Sequence, residues 1–327
     1  MIEKNPLSIE DVALPVVGSG QVLIEVKACG VCRSNLHMIE GDWVRYGLPA
    51  KSPIIPGHEV VGIIDALGHD VGGFNKGDRV GVQPLWSTCN KCEYCLSIRE
   101  QLCPSSQWTG ETVDGGYAEY LLATADHTYP IPHNVEDCEA APLFCPGITA
   151  YDAVKKTELT PGKRIAVFGI GGVGHMVLQI ARLYGAEVIA VSRSRQRLKL
   201  AEELGASRVV DVSSGEPKEW VERIGAVDAS VVFAPSSALA QVAVKATKPG
   251  GVVVMGVYAE LGEFNLGEEK RITGTAVSSR LDMREVLRLA AAGKIKAVSK
   301  EFRLDEANEV LKKLKNGEVQ ARAVLAP

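Results

Sequence analysis

The chain carries no excess of positive charge. Among its 327 residues, 36 lysines and arginines face 40 aspartates and glutamates, a formal net charge of -4. Nucleic acid is therefore not an expected partner, because a polyanion is held by a basic face. Nowhere do eighteen consecutive apolar residues occur, so no membrane-spanning helix and no membrane partner are expected. The opening stretch MIEKNPLSIEDVALP lacks the apolar centre of a signal peptide. Repeats of solenoid period, low-complexity tracts and long linkers are missing as well. These absences leave a globular, cytoplasmic protein as the expectation, and the 46% hydrophobic content suffices for two buried cores.

Cysteine is the exception to this ordinary composition. Four of the eight fall within CNKCEYCLSIREQLC, as Cys89, Cys92, Cys95 and Cys103. In a reducing compartment closely spaced thiols more often hold metal than form disulfides. The C-x2-C-x2-C-x7-C spacing gathers sulfurs through short turns and lets the chain fold back to complete a tetrahedron. Zinc held by four thiolates has no open position, so its expected role is that of a structural staple. An iron-sulfur cluster ranks behind it, since the ferredoxin pattern ends C-x3-C-P and the last gap here is seven residues.

From Gly20 to about Ile131 the pattern is one of short strands broken by Gly, Pro and Asp: QVLIEVKA, HEVVGIIDAL and GDRVGV. After Pro161-Gly162 it changes to strand, helix, strand, in RIAVF, HMVLQIARLYG and AEVIAVS. The alternation continues through RQRLKLAEELG, RVVDV, EWVERIG, DASVVFA, ALAQVAVKAT and GGVVVMGVY, which predicts a doubly wound parallel sheet. Two helical stretches, DMREVLRLAAAGK and DEANEVLKKLKNG, and a short strand ARAVLAP close the chain and are expected to return to the first domain.

GIGGVG places Gly169, Gly171 and Gly174, with Gly172 and Val173 between them, after a strand and at a helix start, where a phosphate-binding turn belongs. At the end of the following strand, where an acid would bind an adenosine ribose 2'-hydroxyl, stands Ser192. Arg193, Arg195 and Arg197 follow, so a 2'-phosphate finds donors there. NADP(H) is favoured; a merely solvated basic turn, with NAD(H) as cofactor, stays open.

Three further stretches, GVCRSNLH, PGHEVVG and LFCPGITAY, each carry a lone residue of zinc-ligand type. Singly each reads as packing or a satisfied polar group. Together with the cysteine cluster and the βαβ unit, they make the chain resemble the zinc-dependent medium-chain alcohol dehydrogenases over nearly its whole length. That resemblance implies an α/β protein with a β-rich GroES-like catalytic domain over residues 1–146 and 277–327. A Rossmann-type dinucleotide domain would occupy 147–276, with cofactor bound in the cleft.

It further implies Cys32, His58 and Cys145 as ligands of a catalytic zinc with one open position, where the ion acidifies an alcohol whose hydride passes to the nicotinamide. Glu59 would stand behind the metal. Ser34 and His37 would relay the proton outward. Arg33 and Arg322 would lie near the pyrophosphate, and Thr149 and Val257 near the nicotinamide. One departure is Asn35, where family members usually carry an Asp that orients the ligand histidine. Trp43 and Trp86 fall near the substrate cleft or in the core, and Cys29 and Cys138 read as buried packing residues. The implied partners are a small-molecule alcohol or aldehyde and further copies of the chain, in a homodimer or homotetramer. A polyol or sugar dehydrogenase of the same superfamily, or a zinc-stapled relative without turnover, are the competing readings.

Overall fold

The computed structural model describes residues 6–263 and 265–327. The chain divides into two compact units. One comprises Met1–Cys145, Val277–Ala292 and Ala297–Pro327, and the other Pro146–Ala276 with Gly293–Lys296.

The first unit is built on a seven-stranded sheet around Gln21–Gly30. That strand pairs antiparallel with Val60–Leu67 along one edge, and along the other with Tyr120–Thr124 and, further on, Arg322–Ala326. Its alternate residues Val22, Ile24 and Val26 enter a core with Val60, Ile64, Val80, Val82 and Leu121, because side chains two apart on a strand share a face. Arg322–Ala326 and Ser299–Arg303 pair in parallel, so the chain's last strand is joined to its first. A small hairpin-like pair, Leu85–Ser87 with Gln107–Trp108, stands apart and carries the four-cysteine segment between its strands.

The second unit is a six-stranded sheet, parallel in every pairing. Its order is Arg208–Asp211, Glu187–Ser192, Arg164–Phe168, Val227–Val232, Thr247–Met255, Arg271–Gly274. Numbered within the unit this is 3-2-1-4-5-6, the doubly wound Rossmann order, in which the direction of winding reverses beside the first strand. The central strands are apolar along their whole length, as Ile165, Ala166, Val167 and Phe168 show by being fully buried, since helices must cover both faces of a parallel sheet. The expected strands and helices of this unit all form. The helix Pro146–Lys156 and the edge strand Arg271–Gly274 are additional to them. Among the described residues no helix is long and apolar enough to cross a membrane.

Candidate active site

Three distant stretches meet in the first unit. Cys32 is the N-cap of the helix Arg33–Glu40, His58 precedes the strand Val60–Leu67, and Cys145 ends the helical turn Ala141–Phe144. One ligand atom from each, with a Glu59 oxygen, lies within 4.8 Å of the others. The two sulfurs are 3.8 Å apart, and zinc–sulfur bonds of about 2.3 Å in a tetrahedron require a separation of about 3.8 Å. A hydrogen bond with Cys145 holds the Cys32 thiol well below its ordinary pKa, against the opposing effect of burial, and Arg322 and His58 add to the lowering. Two thiolates and a neutral imidazole balance a 2+ ion in charge and leave a coordination position free, so the donor set suits a zinc that does chemistry.

Glu59 is fully buried beside these atoms, and its charge is met by Arg322, whose Nε donates to Oε2 at 3.0 Å while Nη2 donates to Oε1. The guanidinium expected near a pyrophosphate is thus buried and committed to Glu59. Arg33 is exposed on the first helical turn. Ser34 Oγ lies 3.4 Å from His58 Nε2. His37, one turn further on, is paired through Nδ1 with Asp42 Oδ2 at 2.6 Å, and its ring stacks on Trp43.

Position 35 differs from expectation. Asn35 makes no hydrogen bond to His58. Its Oδ1 accepts from the Cys32 amide at 3.3 Å and from the Tyr117 hydroxyl at 3.1 Å, and its buried Nδ2 has no partner. It shapes the Cys32 turn instead of the imidazole, because the capping geometry turns its side chain back along the helix axis. The acid that faces His58 Nδ1 is Glu111, buried on the loop after Gln107–Trp108, with Oε1 at 3.8 Å. Burial raises its carboxyl pKa, with nearby His58 working in the opposite direction. No motif in WTGETVDGG announces this residue.

The four cysteines of the second cluster also bring their sulfurs within 4.8 Å of one another. Sγ of Cys95 is 3.5 Å from Cys92 and 3.9 Å from Cys89. Backbone amides of Lys91 and Cys92 push the Cys89 thiol down to about 6, while burial pushes Cys95 up to about 11. These separations again suit a tetrahedral zinc, here with every position filled by sulfur. Arg280 reaches the lobe, donating to Glu100 at 3.1 Å and to Asn90 at 2.9 Å.

In the second unit the glycine turn follows the strand Arg164–Phe168 and opens the helix Gly174–Leu183. Gly169 has φ +95°, and a Cβ on Gly174 would stand 1.9 Å from the Gly169 carbonyl oxygen, so both are demanded by the turn and by helix-strand packing. Gly171 is different: a Cβ there would meet no protein atom within 4 Å. That open space beside a helix start whose N-cap, Val173, offers no side-chain cap suits a pyrophosphate. Gly172 is half-buried in the same turn. His175, unnoticed in the sequence, is buried behind it and donates from Nδ1 to Gly171 O at 2.9 Å.

Ser192 ends the next strand, buried, accepting from the Ser194 amide at 3.2 Å. Arg193 and Arg195 are exposed and Arg197 is half-buried on the helix capped by Ser194. An acid is nevertheless close: Asp211 is the register partner of Ser192 on the neighbouring strand, with Arg195 3.7 Å away. Its carboxyl is held below the usual range chiefly by Ser213. The slot held by Ser192 therefore has an acid beside it, contributed by the neighbouring strand. Thr149 is buried in Pro146–Lys156, and Val257 packs against the core cluster containing Phe168. Trp86 is half-buried and donates from Nε1 to Leu122 O at 3.0 Å. Cys29 is buried as expected, but Cys138 is half-buried and donates its S–H to Glu301 at 3.3 Å.

A β-rich unit holding two thiol-based metal pockets, joined in one chain to a Rossmann unit with a phosphate-type turn, is the architecture of a zinc-binding dehydrogenase. Comparison with known proteins agrees. Residues 18–133 match the model of the alcohol dehydrogenase GroES-like domain, and residues 172–292 that of the zinc-binding dehydrogenase domain. An alcohol dehydrogenase of Geobacillus stearothermophilus is 41% identical over 328 residues, covering 98% of this chain and 96% of its own. An NAD-dependent alcohol dehydrogenase of Saccharolobus solfataricus is 36% identical over 342 residues, covering 99% and 97%. The crystal structure of the alcohol dehydrogenase from Aeropyrum pernix superposes with a TM-score of 0.92 at 34% identity, covering 98% of this chain and 97% of that one. The chain belongs to the zinc-dependent medium-chain alcohol dehydrogenase family and is an oxidoreductase enzyme.

Proposed function

We propose that the protein catalyses reversible hydride transfer between a small primary or secondary alcohol, or the matching aldehyde or ketone, and a nicotinamide dinucleotide, with NADP(H) favoured. The observation that carries this reading is the convergence of Cys32, His58 and Cys145 on one point, with sulfurs at tetrahedral spacing. These three would hold a catalytic zinc, and Cys89, Cys92, Cys95 and Cys103 a structural one. When bound, the catalytic zinc supplies Lewis acidity toward an alcohol oxygen and the nicotinamide supplies the hydride acceptor. Ser34, with Oγ beside His58, stands where it can take the alcohol proton, and His37 on the same helix can pass it to solvent. Arg322 neutralises Glu59, so the buried acid adds no net charge at the pocket.

Gly169, Gly171, Gly172, Val173 and Gly174 would bind the pyrophosphate, and Ser192, Arg193 and Arg197 the 2'-phosphate, with Arg195 offsetting Asp211. Arg33 toward the pyrophosphate, and Thr149 and Val257 toward the nicotinamide, rest on the family resemblance. So does assembly as a homodimer or homotetramer. Arg322, expected beside Arg33, is instead held by Glu59. All eight cysteines are free of disulfides, which suits a reducing compartment.

Steady-state kinetics with both cofactors and a panel of alcohols test the proposal. Turnover with a lower KM for NADP(H) is expected, and Arg193→Ala should raise that KM by about tenfold, the equivalent of one charge-assisted hydrogen bond. Equal effects of that variant on NAD(H) and NADP(H) would contradict the phosphate assignment.

A further inference from the structure

We infer that Glu111 is the carboxylate that orients His58 for metal binding, a positioning role that rests on the zinc reading above. The imidazole has two nitrogens and the structure separates them. Nε2 points toward the thiol side, 3.4 Å from Ser34 Oγ and 3.8 Å from Glu59 Oε1. Nδ1 is buried on the other side without a hydrogen bond, and the charged group that faces it is Glu111, at 3.8 Å. His58 is 2% exposed and Glu111 8%. The Glu111 carboxylate makes no hydrogen bond to another described residue, although its backbone is fixed, donating to Trp108 O at 3.2 Å and accepting from Ala50 at 2.9 Å.

A buried carboxylate without a partner is costly and is retained where it has something to meet. A ligating histidine characteristically donates its second ring N–H to a carboxylate, which fixes tautomer and ring plane and raises the basicity of the ligating nitrogen. Glu111 favours the proton on Nδ1 and thereby presents the Nε2 lone pair to the side where Cys32 and Cys145 lie. Asn35 cannot do this. Its Oδ1 already serves Cys32 and Tyr117, and its free Nδ2 is a donor, which cannot accept an N–H. The acidic partner missing at position 35 is therefore supplied from a loop in a different part of the chain.

Zinc affinity of full-length protein, measured by chelator competition, tests this, with zinc-edge anomalous scattering to show which site empties. Glu111→Ala should weaken zinc at the Cys32–His58–Cys145 site by about 10–100-fold and leave the four-cysteine site loaded. Glu111→Gln should fall between, since its amide oxygen still accepts. The zinc-free forms should melt no lower than wild-type apo-protein, because the change removes an unpaired buried charge. In the cobalt-substituted protein the exchangeable His58 ring N–H resonance should exchange faster with solvent in Glu111→Ala. Unchanged affinity in both variants, or a zinc-free Glu111→Ala that melts well below wild type, would overturn the role of Glu111. A wild-type protein that takes zinc only at the four-cysteine site would instead overturn the underlying reading.

Discussion

Cys29 and Cys32 sit three residues apart, carry the same side chain and have opposite chemistry. Burial among Val22, Ile24 and Val60 pushes the Cys29 thiol up, while its neighbour is held down by Cys145. The first packs and the second can ligate. Cys32→Ala should remove one zinc and turnover while leaving fold and cofactor binding largely intact, as metal analysis and cofactor titration would show. The ligand types were legible in the sequence, because Cys and His are rare and their spacing resembles a family. Their partners were less so. Cys138 meets Glu301, 163 positions away, and Glu111 meets His58 through a loop that no motif marks. Two buried histidines, His127 and His175, belong to no ligand motif. Burial, with a smaller effect of Arg280, pushes His127 down to about 4, and burial does the same to His175. The unfolded imidazole, with a pKa of about 6.5, takes its proton first, so stability falls as pH drops from about 6.5 through about 4. Each contributes about 3 kcal/mol at most across that window. Denaturant melts of His127→Gln should show a shallower pH slope there than wild type, whereas an unchanged slope would count against its burial.

At the scale of elements, period and punctuation carried the central strands and helices of the Rossmann unit. RIAVF, EVIAVS and DASVVFA are largely apolar stretches, each preceded within three residues by a Gly, and each is a central strand of the sheet. Among the elements missed are the helix Arg33–Glu40 and several whose local chemistry is at odds with their place. Arg271–Gly274 and Ser299–Arg303 are edge strands of mixed polarity with one partner each, and Pro146–Lys156 begins with Pro-Gly, which reads as a turn although Pro suits a first helical position. The glycine turn offers a test that separates fold from function. Gly171→Ala fills space that no protein atom occupies, so it should keep its Tm and bind cofactor at least tenfold more weakly. Gly174→Ala drives a methyl into the Gly169 carbonyl and should lower the Tm by several degrees. If both variants bound cofactor like wild type, the phosphate role of this turn would fail.

Across the whole molecule, the first unit draws on both ends of the chain, and the four-cysteine lobe is linked to a late helix through Arg280. A lobe with two short strands and few buried apolar residues depends on its staple. Cys103→Ala should lose the structural zinc and lower the Tm, by roughly 2–4 °C for each kcal/mol of stabilisation removed. Full zinc content with an unchanged Tm would refute the staple.

The central claim is that the chain holds two ions in contrasting surroundings, one enclosed by sulfur and one with a vacant coordination position. Anomalous scattering at the zinc edge from crystals of the purified protein tests it most directly. The account predicts two peaks per chain, one among Cys89, Cys92, Cys95 and Cys103 and one between His58 and the sulfurs of Cys32 and Cys145. A strong peak at the four cysteines with none at His58 would contradict it.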